Sequence, residues 1–170
     1  MNKIIAPLPA GTSWHVLHVR PRCEKKAAAY CLGAQLPCYL PLRVERKKYQ
    51  RRLVEVWKPL FPGYVFAGFR PDQKMVLLQS GQIARILEVK DQAKFTGEIE
   101  QVRRALEADP ELQACPVITG GMPVRITSGP FRGLEGIVVK TKGRARVTIN
   151  VDMIGQGVVI ETDEDALECM

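Results

Sequence analysis

The chain has 170 residues, 46% of them hydrophobic and 25% charged, with a formal net charge of +7. This composition excludes wholesale disorder and leaves room for one ordinary domain or two small ones, and no apolar run approaches the ~18 residues of a membrane span. Five cysteines, odd in number and without CxxC spacing, and two histidines exclude a zinc set; the cysteines are read as small, mostly buried hydrophobes in a reducing compartment.

Met1–Gly11 carries Lys3, a short Ile4-Ile5-Ala6 patch and then prolines. That apolar core is too short for a secretory signal, so a cytoplasmic protein is expected. Ser13–Arg20 alternates around Trp14, Val16, Leu17 and Val19 and predicts a strand. Pro21 suits the first turn of a helix from Arg22 to about Leu32. Cys23, Ala27, Tyr30 and Cys31 fall on one side of it and Arg22, Lys25 and Lys26 on the other. Gly33 and Pro37 end this helix, and Cys38–Leu42 is a short second strand. In Arg43–Trp57, six Lys and Arg residues surround Glu45 ahead of Val54, Val56 and Trp57. This stretch is too polar for core and predicts a projecting hairpin or a mobile loop. Tyr64–Phe69 is a central strand, Pro71-Asp72 opens a short helix to about Gln79, and Ile83–Val89 is a strand. Thr96 caps the next helix, with Glu98 and Glu100 at its positive end and Ile99, Val102 and Leu106 as its buried stripe.

Asp109-Pro110 stops that helix, and Asp109–Gly121, with Pro110, Pro116, Gly120 and Gly121, reads as a linker. Short strands follow at Val124–Thr127, Gly136–Lys140, Ala145–Val151 and Val158–Glu161, with Lys142-Gly143 as a hairpin turn. Closely spaced strands with glycine turns predict a small barrel. The β-branched residues of Gly136–Val139 and Val147–Val151 favour a stable barrel over a helical alternative.

Charge is placed unevenly. Met1–Ser80 holds 14 Lys and Arg against 4 acids, a local +10, whereas Gly81–Ile118 is −2 and Thr119–Met170 is −1. A positive field confined to the first half points to phosphate backbones. No Ser/His/Asp set, carboxylate pair or phosphate-cradling glycine loop is legible, so enzyme activity is not expected and no cofactor or metal is implied. The chain reads as one that works by docking.

Two motifs carry a family resemblance. Ser128-Gly129-Pro130-Phe131-Arg132-Gly133 followed by Gly136-Ile137-Val138 resembles a KOW module. Trp14-His15-Val16-Leu17, the basic helix after it, and Pro59-Leu60-Phe61-Pro62-Gly63-Tyr64-Val65-Phe66 resemble the NGN domain of the NusG family of transcription elongation factors. The resemblance implies an α+β chain: an NGN-type α/β sandwich with a mainly antiparallel sheet over residues 12–108, a linker at 109–121, and an SH3-like KOW barrel over 122–170. The Pro-Leu-Phe-Pro and Trp-His forms look like the specialised RfaH-like antiterminators.

The resemblance also implies partners. Trp14, Phe61 and Tyr64 match an aromatic depression that grips the clamp helices of the largest RNA polymerase subunit; core aromatics are the alternative reading. Phe61, between two prolines, is expected to be a partly exposed anchor. Arg20, Arg22, Lys25 and Lys26, extended by Arg70 and Lys74, match a basic region along upstream and non-template DNA. The threonine-rich element of RfaH is missing, with Met75, Val76 and Leu77 in its place. Phe131 and Met153-Ile154-Gly155 match barrel loops that recruit ribosomal protein S-ten or Rho. The implied function is a monomeric elongation and antitermination factor. A housekeeping role in Rho-dependent termination and ribosome coupling is the alternative, as is an RNA- or ribosome-binding KOW protein, against which the −1 of the barrel region argues.

Overall fold

The computed structural model describes residues 8–141 and 143–170. In chain order the elements are β1 (Ser13–Val19), α1 (Glu24–Gly33), β2 (Cys38–Tyr39), β3 (Leu42–Tyr49), β4 (Arg52–Pro59) and β5 (Tyr64–Phe69). A 3-10 turn at Pro71–Gln73 leads into α2 (Lys74–Leu78), β6 (Ile83–Glu88) and α3 (Gln92–Ala108). The strands β7 (Gln113–Pro116), β8 (Met122–Ile126), β9 (Glu135–Thr141), β10 (Arg144–Val151), β11 (Gln156–Thr162) and β12 (Leu167–Cys169) complete the chain. The Met1–Gly11 reading falls largely outside the described residues, as does Lys142 of the Lys142-Gly143 turn; Gly143 itself has φ 81°.

The architecture is α+β with antiparallel pairing, and the chain divides into two units. The first comprises Met1–Leu42 and Pro59–Thr96 and is built on a sheet of order β2-β5-β1-β6. β5 lies inside this sheet as expected, with His15 opposite Ala67 and Leu17 opposite Val65 on β1. Simple alternation of buried and exposed positions is lost because both sheet faces are covered. On one face Leu17, Val19, Val65, Ala67 and Phe69 join Ala27 and Cys31 of α1. On the other, Phe66 is ringed by Tyr39 (6.2 Å between centroids), Phe61 (6.4 Å) and Phe95 (5.3 Å, edge-on).

Several expected boundaries move. Pro21 lies in a turn, and α1 begins at Glu24 because Arg22 takes a left-handed φ of 62° that no helix accepts. The second strand is only Cys38–Tyr39, since Leu42 already belongs to β3. Of the cysteines only Cys31 and Cys38 are buried; Cys23 and Cys115 are half-buried and Cys169 is exposed.

The second unit comprises Arg43–Lys58 and Gly97–Met170. The basic stretch is an ordered hairpin, β3 paired with β4. At its base the Val44 amide donates to the Pro110 carbonyl (2.7 Å), and Arg46 pairs with Glu111 (3.1 Å). A six-stranded antiparallel sheet of order β12-β8-β9-β10-β11-β7 forms the C-terminal β domain, with Val147, Ile149, Val151, Val158 and Ile160 in its core. Gly136 matters here because a Cβ would lie 2.5 Å from the Thr148 carbonyl oxygen, so only glycine lets β9 approach β10 at that point. The 109–121 stretch is not a free linker throughout: β7 lies within it and pairs with β11, Cys115 opposite Gly157.

Candidate functional site

Two turns in the first unit build the candidate site. The Arg20–Cys23 turn joins β1 to α1, closed by the Cys23 amide on the Arg20 carbonyl (3.0 Å). The Phe61–Tyr64 turn precedes β5, closed by the Tyr64 amide on the Phe61 carbonyl (3.2 Å). Pro62 sets the first bend and Gly63, at φ 87°, supplies the left-handed second one. The Val19 amide donates to the Gly63 carbonyl (2.9 Å), and the Gly63 amide donates to Oε1 of Glu24 (2.9 Å). Glu24 is buried, 8% exposed, in the first turn of α1, where a carboxylate suits the positive end of the helix. It pins one turn to the other. Sequence reasoning missed it, although a lone acid among Arg22, Lys25 and Lys26 was a signal.

Between the turns lies an open depression of about 490 Å³, lined by His18, Arg20, Arg22, Pro62, Gly63 and Ala84 among others. Two of the expected basic residues therefore line the same surface as the Pro62-Gly63 turn. Lys25 and Lys26 are exposed on α1, and Lys74 is exposed at the start of α2. Arg70 extends the positive surface less than expected. Asp72 grips its guanidinium with both carboxylate oxygens (3.1 and 3.2 Å), which raises its pKa and offsets its charge.

The aromatic positions require a correction. Phe61 is 1% exposed and Trp14 2%, so neither is a surface anchor. The reversal at Pro62-Gly63 directs Phe61 into the cluster around Phe66, where an aromatic ring gains far more than at a proline-flanked surface. Gln92 clamps the Trp14 backbone, accepting its amide (2.7 Å) and donating to its carbonyl (2.8 Å). Tyr64 is the half-buried member of the trio, with its ring 5.4 Å from the exposed His18, its register partner on β1. His18 was not singled out from the sequence. His15 instead stacks on Phe69 (4.0 Å), and burial lowers its pKa despite the Ser13 carbonyl at its Nδ1 (3.0 Å).

In the β domain, Phe131 is half-buried in the turn between β8 and β9. The Gly133 amide donates to the Ile126 carbonyl (2.7 Å) and the Leu134 amide to the Phe131 carbonyl (3.1 Å). Two side chains of α3 brace the same turn: Arg104 donates to the Arg132 carbonyl (3.1 Å), and Gln101 accepts the Glu135 amide (2.6 Å). Met153-Ile154-Gly155 forms the separate turn between β10 and β11. There Ile154 is buried, Met153 half-buried and Gly155 exposed with φ 63°. Ile154 is thus a core residue of that turn, and Met153 and Gly155 form its accessible part. Among the described residues, no three or more His, Cys, Asp or Glu gather where a metal ion could be held, and no helix is long and apolar enough to cross a membrane.

Residues 12–105 match the NusG family, described as transcription termination factor nusG. Among solved structures, the chain is similar to one described as domain interaction in Thermotoga maritima NusG, at 17% identity and a TM-score of 0.51, covering 92% of this chain and 96% of that one. At that identity the likeness speaks for the fold alone. It is also similar to the MjSpt4:Spt5 complex in conformation B, at 15% identity, with 92% and 96% coverage, but the TM-score of 0.30 is too low to bear on the fold. No curated protein matches the chain.

Proposed function

The chain belongs to the NusG family, and from that premise we propose that it is a transcription elongation factor of the antiterminating kind, which docks on RNA polymerase and steadies the nucleic acid of the transcription bubble. Family members are transcription factors that bind RNA polymerase and carry no catalytic chemistry. The observation that carries the reading is the match over residues 12–105, within which Arg20 and Arg22 border the depression beside the Pro62-Gly63 turn. His18 lines it, with the Tyr64 ring 5.4 Å from His18, whereas Phe61 and Trp14 are buried in the core. The polymerase surface recognised is the clamp helices of the largest subunit.

Arg20, Arg22, Lys25 and Lys26 hold upstream or non-template DNA by its phosphates, which positions without reading sequence. Phe131, Met153 and Gly155 are the accessible residues through which the β domain engages ribosomal protein S-ten or Rho. The setting is cytoplasmic and the working form a monomer. Transcription in vitro over pause sites and Rho-dependent terminators tests the proposal. Readthrough supports it, whereas enhanced Rho-dependent release assigns the chain to termination instead. Tyr64→Ala is expected to weaken polymerase capture about tenfold or more. Lys25→Glu with Lys26→Glu is expected to abolish the effect on pausing while leaving capture intact; unchanged pausing refutes the basic-helix assignment.

A further inference from the structure

The β3–β4 hairpin has no part in the site above, yet it is the most cationic segment of the chain. Arg43–Lys58 holds seven Lys and Arg against two Glu. Its charges are sorted along its length. Near the base, Glu45 takes Lys58 (2.5 Å), Arg43 (3.5 Å) and Lys47 (3.5 Å), and Arg46 lies between Glu55 (3.4 Å) and Glu111 (3.1 Å). At the tip, Lys48, Arg51 and Arg52 make no ion pair among the described residues. The same tip exposes Tyr49 (68%) and Leu53 (75%), large apolar surfaces that the fold does not use.

The turn itself is strained. Gln50 (φ 41°) and Arg51 (φ 69°) are consecutive left-handed residues, where a two-residue hairpin turn favours Asn-Gly. A side chain at Arg51, where glycine would relieve the backbone, points to a use for its charge. Three unpaired cations beside an exposed aromatic ring fit a polyanion with stackable bases or sugars. A two-stranded ribbon fits the roughly 12 Å major groove of B-DNA, whereas the deep, narrow major groove of A-form RNA excludes it.

We propose that the hairpin tip is a second nucleic-acid contact, in which Lys48, Arg51 and Arg52 take backbone phosphates of duplex DNA and the β3–β4 ribbon enters the major groove with Tyr49 at its leading end. This inference rests on the reading that the chain works along nucleic acid, and it adds a contact independent of α1.

The test is fluorescence anisotropy of the full chain with a labelled DNA duplex, its single strand and an RNA duplex of the same sequence, from about 50 to 200 mM salt. Lys48→Gln, Arg51→Gly and Arg52→Gln combined is expected to weaken duplex DNA binding at least about tenfold and to flatten the slope of log K against log salt by about 2.7, three phosphate contacts' worth. Arg51→Gly alone is expected to raise the urea midpoint while lowering DNA affinity, opposite signs that a purely structural role would not produce. An unchanged affinity and slope in the triple variant overturns the proposal, as does a loss confined to the single strand or the RNA duplex. If Lys25→Glu with Lys26→Glu weakens binding and the hairpin variants do not, only the hairpin assignment falls. If the unaltered chain binds none of the three probes, the broader nucleic-acid reading falls with it.

Discussion

Phe61 shows how a residue type can be right and its role displaced. Two flanking prolines and a following strand marked it as an aromatic held in place, and it is held, but inside the cluster of Phe66, Tyr39 and Phe95. Phe61→Ala is therefore expected to cost about 3–5 kcal/mol of stability, read as a lower urea midpoint. Tyr64→Ala, at a half-buried position, is expected to cost much less. Loss of polymerase capture by the Phe61 variant would then report unfolding, whereas loss by the Tyr64 variant at intact stability reports the surface. His15 makes a prediction in pH. Burial holds its imidazole below the ordinary 6.5, so the folded state prefers the neutral ring. Its contribution is complete above pH 6.5 and is lost as pH falls through the lowered folded value. The urea midpoint is expected to drop between neutral pH and about pH 5, and to drop less in His15→Gln. No periodicity marks such a ring, because stacking on Phe69 arises from the pairing of β1 with β5.

Among the elements, those with strong local patterns were legible. The sequence places β5 at its observed bounds and β1, β6 and β8–β11 within a few residues of theirs, but gives no sign of β12. The α3 helix shows what competes. Thr96 resembled a cap, but the helix starts at Gln92, with Asp91 Oδ1 accepting the Lys94 amide (3.0 Å), and Thr96 bonds back to the Gln92 carbonyl (2.7 Å). Asp91→Ala is expected to cost about 1 kcal/mol and Thr96→Ala well under that, measured by urea denaturation. Its buried stripe of Ile99, Val102 and Leu106 was legible because it follows helical spacing. The strand β7 was not, because four residues with a terminal proline carry no periodic signal and become a strand only by pairing with β11. The glycines of the KOW-like turn were visible from sequence, yet only strand proximity distinguishes Gly136. Gly136→Ala is expected to cost about 1–3 kcal/mol by forcing β9 from β10.

At the scale of the molecule, the β3–β4 hairpin is anchored within the second unit by contacts distant in sequence. A chain ending at residue 108 lacks Pro110, whose carbonyl accepts the Val44 amide, Glu111, which pairs with Arg46, and the buried Leu112. A fragment ending at residue 112 is expected to be more stable than one ending at 108 by about 2–4 kcal/mol, from one hydrogen bond and one buried leucine; equal urea midpoints would refute this. The uneven charge is likewise a property of the whole, and its working portion depends on pairing. Glu45 offsets cations at the hairpin base and Asp72 offsets Arg70, whereas Arg20, Arg22 and Lys26 have no ion pair among the described residues. By itself the sequence determined the α+β class, the order of most strands and helices, the family and the basic first half, because these follow from local spacing, turn chemistry and composition. Only the tertiary structure decided that Phe61 and Trp14 are core, that Glu24 binds the two turns together, that β7 belongs to the C-terminal sheet, and which cations stay unpaired. Each depends on which surface or charge a residue meets across the fold, and that partner is not encoded in its neighbours along the chain.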